Sequence, residues 1–174
     1  DSVAAGVDKI RINPGNIGDD ANVKKVADAC RLAGVPIRIG VNSGSLEKEI
    51  LARHGAATPE AMVESGLYHI SLLNKFDFDD IVLSLKSSDT ARTYAAYVLA
   101  AEKCPYPLHL GVTEAGTYNM GVIKSSAAMG GLLLRGIGNT IRVSLTDEPV
   151  KEILAAKDLL KAIGLRKGGI KFVS

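Results

Sequence analysis

The sequence predicts an α/β fold in which parallel strands alternate with helices, as part of a (β/α)8 barrel. Strand-like and helix-like segments follow one another along the chain, which is the pattern of right-handed βα crossovers. The units also recur at a nearly constant spacing. Arg11 and Arg38 are 27 residues apart. Glu114 lies 28 residues after Lys86 and 28 before Arg142. A constant period favours a barrel over an open doubly wound sheet.

Five units cannot close an eight-stranded barrel, so we predict that these are its five C-terminal units and that the missing strands precede this segment. In each predicted strand, aliphatic side chains occupy one parity and small or polar side chains the other. We predict main strands at residues 7–13, 36–41, 80–85, 108–113 and 140–145. A sixth, short strand is predicted at 170–173.

Helices are predicted from apolar residues at helical spacing and from residues that begin or end a helix. Asp19 and Asp89 each precede a helical pattern, and Thr58 is followed by proline, which favours the first helical position. Gly34 and Gly164 follow the ends of two patterns. The predicted helices span 19–33, 46–54, 59–75, 90–103, 119–134 and 147–163.

Composition limits the classes of partner. The chain has 174 residues, of which 47% are hydrophobic, and a formal net charge of +2. So small a charge does not indicate nucleic acid or an anionic membrane as the main partner. Aromatic residues make up 5% and tryptophan is absent, so a base-stacking surface is not expected. We expect no membrane partner, a cytoplasmic protein, and reduced thiols at Cys30 and Cys104.

Polar side chains are concentrated on one face of the strands, near their carboxyl ends. Catalytic residues of barrel enzymes lie at these ends. The cations of this set are Arg11, Arg38, Lys86 and Arg142. Glu114 is the one acid among them. Converging cations repel one another unless a polyanion neutralises them, and arginine forks suit phosphate oxygens. The sequence therefore predicts a diphosphate ligand. The alternative is that acids from the missing segment form ion pairs with these cations.

Two further residues near the strand ends have open roles. Glu114 could act as a general acid or base, or could orient Arg142 or Lys86 through a salt bridge. His109 lies deeper on the same face, where a hydrogen-bonded interior histidine is favoured over a catalytic one.

Five segments carry a family resemblance. They are DKIRINPGNIG (8–18), PIRIGVNSGSLE (36–47), VLSLKSSD (82–89), LHLGVTEAG (108–116) and IRVSLTDEP (141–149). In combination they resemble bacterial 4-hydroxy-3-methylbut-2-en-1-yl diphosphate synthases of the non-mevalonate isoprenoid pathway, over the whole length of the chain. The resemblance implies a TIM-barrel domain followed by an iron–sulfur domain. It also implies reductive opening of 2-C-methyl-D-erythritol 2,4-cyclodiphosphate, with electrons from flavodoxin or ferredoxin passing through a [4Fe-4S] cluster.

The resemblance also implies roles for particular residues. The implied ligands of the cyclic diphosphate are Arg11, Asn13, Arg38, Asn42, Lys86, Arg142 and Ser144. Thr113 and Glu114 resemble the pair that handles the substrate hydroxyl and the proton. A homodimer is implied for the intact enzyme. No metal ligand is assigned in this chain, because Cys30 and Cys104 match no cluster ligand.

The predicted domain organisation is residues 1–168 as the C-terminal part of the barrel and 169–174 as the start of the connection to the iron–sulfur domain. We expect an iron–sulfur oxidoreductase in the intact protein and no synthase activity from this segment alone. Two alternatives stay open at this point. One is another phosphate-ligand barrel, either pteroate-synthase-like or aldolase-like, in which Lys86 could form a Schiff base. The other is a non-catalytic phosphosugar-binding domain.

Overall fold

The computed structural model describes residues 1–13 and 16–168. Its strands are β1 (Ile10–Ile12), β2 (Ile37–Asn42), β3 (Ile81–Lys86), β4 (His109–Leu110) and β5 (Thr140–Ile141). Its helices are α1 (Asp20–Ala33), α2 (Lys48–His54), α3 (Pro59–Lys75), α4 (Thr90–Lys103), α5 (Tyr118–Leu134) and α6 (Pro149–Ala162). A short 3-10 turn at Ser43–Ser45 connects β2 to α2. The strand predicted at 170–173 lies outside the described residues.

Every strand pair is parallel, as the alternating pattern predicts. β1, β2 and β3 form one sheet in sequential order, and β4 pairs with β5 in a second sheet. A parallel bridge between Leu83 and Leu108 connects the two sheets. The five βα units therefore follow one another in the order of a partial (β/α)8 barrel.

The helix boundaries follow from the local signals in the sequence. The side chain of Asp19 accepts a hydrogen bond from the N–H of Asn22 at the start of α1. Thr58 and Asp89 cap α3 and α4 in the same way. Gly34 takes the left-handed conformation, with φ +64°, directly after α1.

The core lies between the strands and the helices. The aliphatic parity of β2 and β3 is fully buried, with Ile37, Ile39 and Leu83 at 0% exposure. α3 approaches β3 closely at Gly66, because a Cβ there would lie 2.8 Å from a methyl carbon of Leu83. The side chains at the alternate positions of these strands therefore face the interior of the barrel.

Three predicted strands are shorter than expected, and this corrects the sequence-based prediction. β1 contains three residues, against seven predicted. β4 and β5 contain two residues each, against six predicted for each. In β4 the regular ladder to β3 is interrupted by the hydroxyl of Tyr97 from α4. β5 pairs on one side only within residues 1–13 and 16–168, although the N–H of Arg142 still donates to Leu110 O at 2.9 Å.

None of the helices in the described part of the chain combines the length and the apolar character that crossing a bilayer requires.

Candidate functional site

The strand register brings the predicted ligands together in pairs. Arg11 on β1 lies opposite Arg38 on β2. Two inward-facing positions higher, at the carboxyl ends, Asn42 on β2 lies opposite Lys86 on β3. Cross-strand neighbours in one register have closely spaced side chains. We refer to Arg11, Arg38, Lys86 and Arg142 as the cation cluster.

Arg11 lies across β2 over a glycine. Its Nη2 donates to Gly40 O at 3.0 Å. A Cβ at position 40 would lie 2.4 Å from Arg11 Nε, so only glycine leaves room for this arrangement. In the amide orientation that satisfies its neighbours, Asn42 accepts from Arg11 Nη2 at 3.3 Å and donates to the carbonyl of Val41 at 3.2 Å.

A serine on the neighbouring strand β3 fixes the position of Arg38. Its Nη1 donates to Ser84 Oγ at 2.6 Å, and Ser84 is fully buried. Burial lowers the pKa of Arg38, and the charges of Arg11 and Arg142 lower it further. No carboxylate forms an ion pair with Arg38 in residues 1–13 and 16–168.

Lys86 is the most confined member of the cation cluster. The residue is 9% exposed. Its Nζ lies 3.0 Å from the position that a Cβ at Gly111 would occupy. Burial lowers the pKa of Lys86 to about 8, together with the charges of Arg38, Arg142 and Arg11, while Glu152 opposes the change. Across the described ranges, no ion pair neutralises this ammonium group.

Arg142 has the one carboxylate partner that the described residues provide to the cluster. Its Nε lies 3.7 Å from Oε2 of Glu152, and its side chain is 61% exposed. Glu152, on α6, also accepts from the N–H of Leu145 at 2.9 Å. The sequence offers Glu114 as one possible salt-bridge partner for Arg142 or Lys86. Glu152 takes that role for Arg142, and the cluster keeps a net charge of +3.

Polar loop residues connect the strand ends above the cations. Asn13 Nδ2 donates to Ser45 Oγ at 3.2 Å. Ser43 Oγ donates to Ser87 Oγ at 3.2 Å. These serines are not among the residues predicted from the sequence, although their position shortly after β2 and β3 is a signal that could have indicated them.

The three remaining predicted residues lie after β4 and β5. The N–H of Thr113 donates to Ser87 O at 3.1 Å, which ties this loop to the end of β3. Glu114 is exposed and has a φ of +50°, a left-handed conformation that is uncommon for residues other than glycine. Ser144 is half-buried. Among the described residues, no hydrogen bond or ion pair joins Glu114 or Ser144 to the cation cluster, so their assignment stays a prediction.

His109 forms a hydrogen bond to β5 at a partly exposed position, and its role stays a prediction. Its Nδ1 lies 2.8 Å from Oγ1 of Thr140. Burial lowers the pKa of His109 to about 3, together with the charges of Lys86, Arg38, Lys9 and Arg142. The imidazole therefore stays neutral beneath the cations at neutral pH.

A separate cavity of about 430 Å³ lies beside α2 and α3, away from the strand ends. Several of the charged groups along it are paired with one another, whereas Asp20, Lys48 and Glu49 have no ion-pair partner among the described residues. Glu64 binds both Arg53 and His54, and Glu47 accepts from His69 Nε2 at 2.9 Å. The cation cluster is the candidate functional site, because its charges have one sign and a single carboxylate partner among the described residues, whereas the cavity is lined by charges of both signs.

Comparisons with known proteins identify the family. The model of the GcpE TIM-barrel domain matches residues 1–157. The chain belongs to the GcpE TIM-barrel domain family. This confirms the resemblance and the predicted fold class.

The chain is similar to curated proteins with one name. It is 57% identical over 173 residues to the 4-hydroxy-3-methylbut-2-en-1-yl diphosphate synthase (flavodoxin) of Caldanaerobacter subterraneus subsp. tengcongensis, which covers 99% of this chain and 49% of that protein. It is 54% identical over 173 residues to the protein of the same name from Fusobacterium nucleatum, with the same coverage. The chain thus spans about half the length of the curated relatives it matches.

A solved structure, D-psicose 3-epimerase in the presence of D-fructose, matches with a TM-score of 0.48 and 16% identity, covering 90% of this chain and 62% of that chain. A likeness this weak supports no conclusion about this chain.

The chain does not provide the ligands of an iron–sulfur cluster. The sequence contains two cysteines, and burial raises the pKa of both Cys30 and Cys104. A cluster is held by several thiolates, commonly four. No group of three or more metal-binding side chains occurs within residues 1–13 and 16–168.

Proposed function

We propose that the full-length protein containing this chain is a 4-hydroxy-3-methylbut-2-en-1-yl diphosphate synthase. It would open 2-C-methyl-D-erythritol 2,4-cyclodiphosphate reductively to 4-hydroxy-3-methylbut-2-enyl diphosphate. The observation that carries the proposal is the 57% identity, over 99% of this chain, to a relative of that name. The cation cluster supports it, because four converging cations with a single nearby carboxylate suit a ligand with two phosphoryl groups.

In this proposal the chain supplies binding and electrostatics. Arg11, Arg38 and Arg142 offer guanidinium forks to phosphoryl oxygens. Lys86 adds a point charge from a confined position, and a bound polyanion would restore its proton affinity. Asn13, Asn42 and Ser144 would orient the ligand, and together with the cations they form the proposed binding site. Thr113 and Glu114 are the proposed pair for the substrate hydroxyl and the transferred proton.

The reduction itself requires an electron carrier, which no amino-acid side chain here can replace. We propose that a [4Fe-4S] cluster serves this purpose and that its ligands lie outside this chain, since the two cysteines here do not fit such a site. The relatives' names specify flavodoxin, and we propose flavodoxin as the electron donor, with ferredoxin as the alternative. A homodimer acting in the cytoplasm completes the proposal.

The lowered pKa of Lys86 also suits a second candidate function. A lysine that loses its proton near neutral pH can form a Schiff base with a carbonyl substrate, as in an aldolase-like barrel. Borohydride trapping with sugar-phosphate ketones and aldehydes tests this candidate. Covalent labelling at Lys86 would favour it, and its absence alongside synthase turnover would exclude it.

The test of the main proposal is turnover of the cyclic diphosphate by the full-length, cluster-loaded protein with reduced flavodoxin. We expect conversion to the linear diphosphate. The Arg38→Ala variant should bind the substrate more weakly by about 1.5–3 kcal/mol, the value of a charge-assisted hydrogen bond. A matched control is Arg166→Ala, because Arg166 is an exposed residue that follows α6. No turnover by a protein with full iron content, or equal substrate affinity of Arg38→Ala and wild type, would refute the proposal.

A further inference from the structure

The hydrogen-bond ladder of the barrel is continuous between β2 and β3 but not between β3 and β4. β2 and β3 pair over six consecutive positions, from Ile37 with Ile81 to Asn42 with Lys86. Between β3 and β4 the pairing is reduced to one bridge, Leu83 with Leu108. This interruption lies beside Lys86, the residue of the cation cluster that β3 contributes.

The two strands keep one register on both sides of the interruption. Below it, the N–H of Leu83 donates to Pro107 O at 2.9 Å. Above it, the N–H of Thr113 donates to Ser87 O at 3.1 Å. Both bonds belong to the same parallel register, in which the N–H of Leu85 would donate to the carbonyl of His109. The strands are therefore one ladder with a local opening.

The hydroxyl of Tyr97 fills this opening. The N–H of Leu85 donates to Tyr97 Oη at 3.0 Å, and Oη donates to the carbonyl of His109 at 2.6 Å. Tyr97 is 0% exposed, and burial raises the pKa of its phenol, so the O–H group remains a donor. One side-chain oxygen thus stands between the N–H of Leu85 and the carbonyl of His109 and takes the place of one direct backbone hydrogen bond.

The residues next to the opening include Lys86. It follows Leu85 on β3, and its side chain extends across to β4, where Nζ and Cε lie 3.0 and 3.1 Å from the Cβ position of Gly111. Gly111 is two residues after His109, so Lys86 lies over the strand that Tyr97 displaces. The separation of β3 and β4 at this point therefore sets the position of the ammonium group.

We propose that Tyr97 is a positioning residue for anion binding, because its hydroxyl holds β3 and β4 apart and thereby sets the place of the Lys86 ammonium in the cation cluster. The inference rests on the proposed function in one respect, namely that the cluster binds a diphosphate. Tyr97 acts on the cation cluster through the backbone of β3 and β4, and its side chain does not contact the ligand.

The test is Tyr97→Phe in the full-length protein, which removes one oxygen and keeps the ring. Tyr94→Phe is the matched control, because Tyr94 lies on the same helix and its hydroxyl accepts from Arg135 at the surface. We expect Tyr97→Phe to bind inorganic pyrophosphate about tenfold more weakly, a change in the range of measured couplings between contacting residues. KM for the cyclic diphosphate should rise by a similar factor at nearly unchanged kcat, whereas Tyr94→Phe should match wild type.

A double-mutant cycle with Lys86→Met shows whether Tyr97 acts through Lys86. We expect Tyr97→Phe to have no further effect on pyrophosphate affinity in the Lys86→Met background. A loss of affinity that persists there would overturn the proposal. So would wild-type affinity and KM in the Tyr97→Phe single variant, which would leave the hydroxyl with a stabilising role only.

Two further outcomes are distinguishable. If wild type binds pyrophosphate and the cycle behaves as expected but the cyclic diphosphate is not converted, the proposed function fails and the role of Tyr97 stands. If wild type binds no pyrophosphate, both fail. Should Tyr97→Phe not fold, Gly111→Ala provides the test, because the added methyl group would displace the ammonium group of Lys86 from its place beside Gly111. Unchanged pyrophosphate affinity in Gly111→Ala would overturn the proposal.

Discussion

Replacing Lys86 with methionine should stabilise the free protein while weakening anion binding. The pKa of Lys86 falls from 10.5 to about 8 in the folded state. At about 1.4 kcal/mol for each pKa unit, holding the charged amine in place costs the fold about 3 kcal/mol below pH 8. Methionine has a similar length and no charge, so it removes this cost and keeps most of the packing.

The difference in the free energy of unfolding between Lys86→Met and wild type should decrease as the pH rises. Below pH 8 the lysine is charged in both folded and unfolded chains, so the full cost applies and Lys86→Met is the more stable protein. Between pH 8 and 10.5 the folded chain binds fewer protons than the unfolded chain, and wild-type stability rises relative to the variant. The difference in the free energy of unfolding should therefore shrink from about 3 kcal/mol at pH 7 towards zero near pH 10.5.

Urea unfolding of both proteins at pH 7 and pH 10 measures this difference, with the exposed Lys25→Met as the control. Pyrophosphate should raise the melting temperature of wild type and of the control more than that of Lys86→Met. If Lys86→Met were less stable than wild type at pH 7 and bound pyrophosphate equally well, the cations would be structural ion-pairing groups, and the reasoning would be refuted.

Three further predictions follow from individual contacts. Gly40→Ala should displace the Arg11 guanidinium and weaken pyrophosphate binding severalfold in calorimetry, whereas Gly44→Ala, which has open space, should not. Glu47→Ala should lower the free energy of unfolding by about 2 kcal/mol, because two buried polar groups on α3 lose their acceptor. Burial alone would raise the pKa of Glu47, but its hydrogen bonds outweigh burial and lower the pKa from 4.5. The free energy of unfolding of wild type should therefore decrease as the pH falls below about 4.5, and that of Glu47→Gln should change less. The imidazole signals of His109 should show no titration between pH 5 and 8 in NMR spectra, since its pKa is about 3.

Local signals in the sequence were sufficient for most of the fold. The caps at Asp19, Thr58 and Asp89 lie where the structure has them, because each depends on residues three positions apart. The length of β4 could not be predicted in this way. Tyr97 occupies an apolar position of α4, and nothing near it in sequence shows that its hydroxyl enters a neighbouring sheet.

The candidate site likewise has one part that local sequence patterns predict and another part that they do not. Strand parity predicts that Arg11, Arg38 and Lys86 share one face, because alternation within a strand is a local property. It does not predict Glu152 as the partner of Arg142, since that contact depends on how α6 packs against the end of β5. The lowered pKa of Lys86 likewise arises from burial and from charges on other strands, which only the folded chain brings together.

The most direct test of the account is a crystal structure of the full-length protein with the cyclic diphosphate bound. We predict that the two phosphoryl groups lie within hydrogen-bond distance of the cation cluster, with Lys86 Nζ and the Arg38 guanidinium on phosphoryl oxygens. The contrary result is a ligand bound elsewhere, with these cations paired to carboxylates from the part of the protein outside this chain. That result would make the cluster a structural ion-pair network.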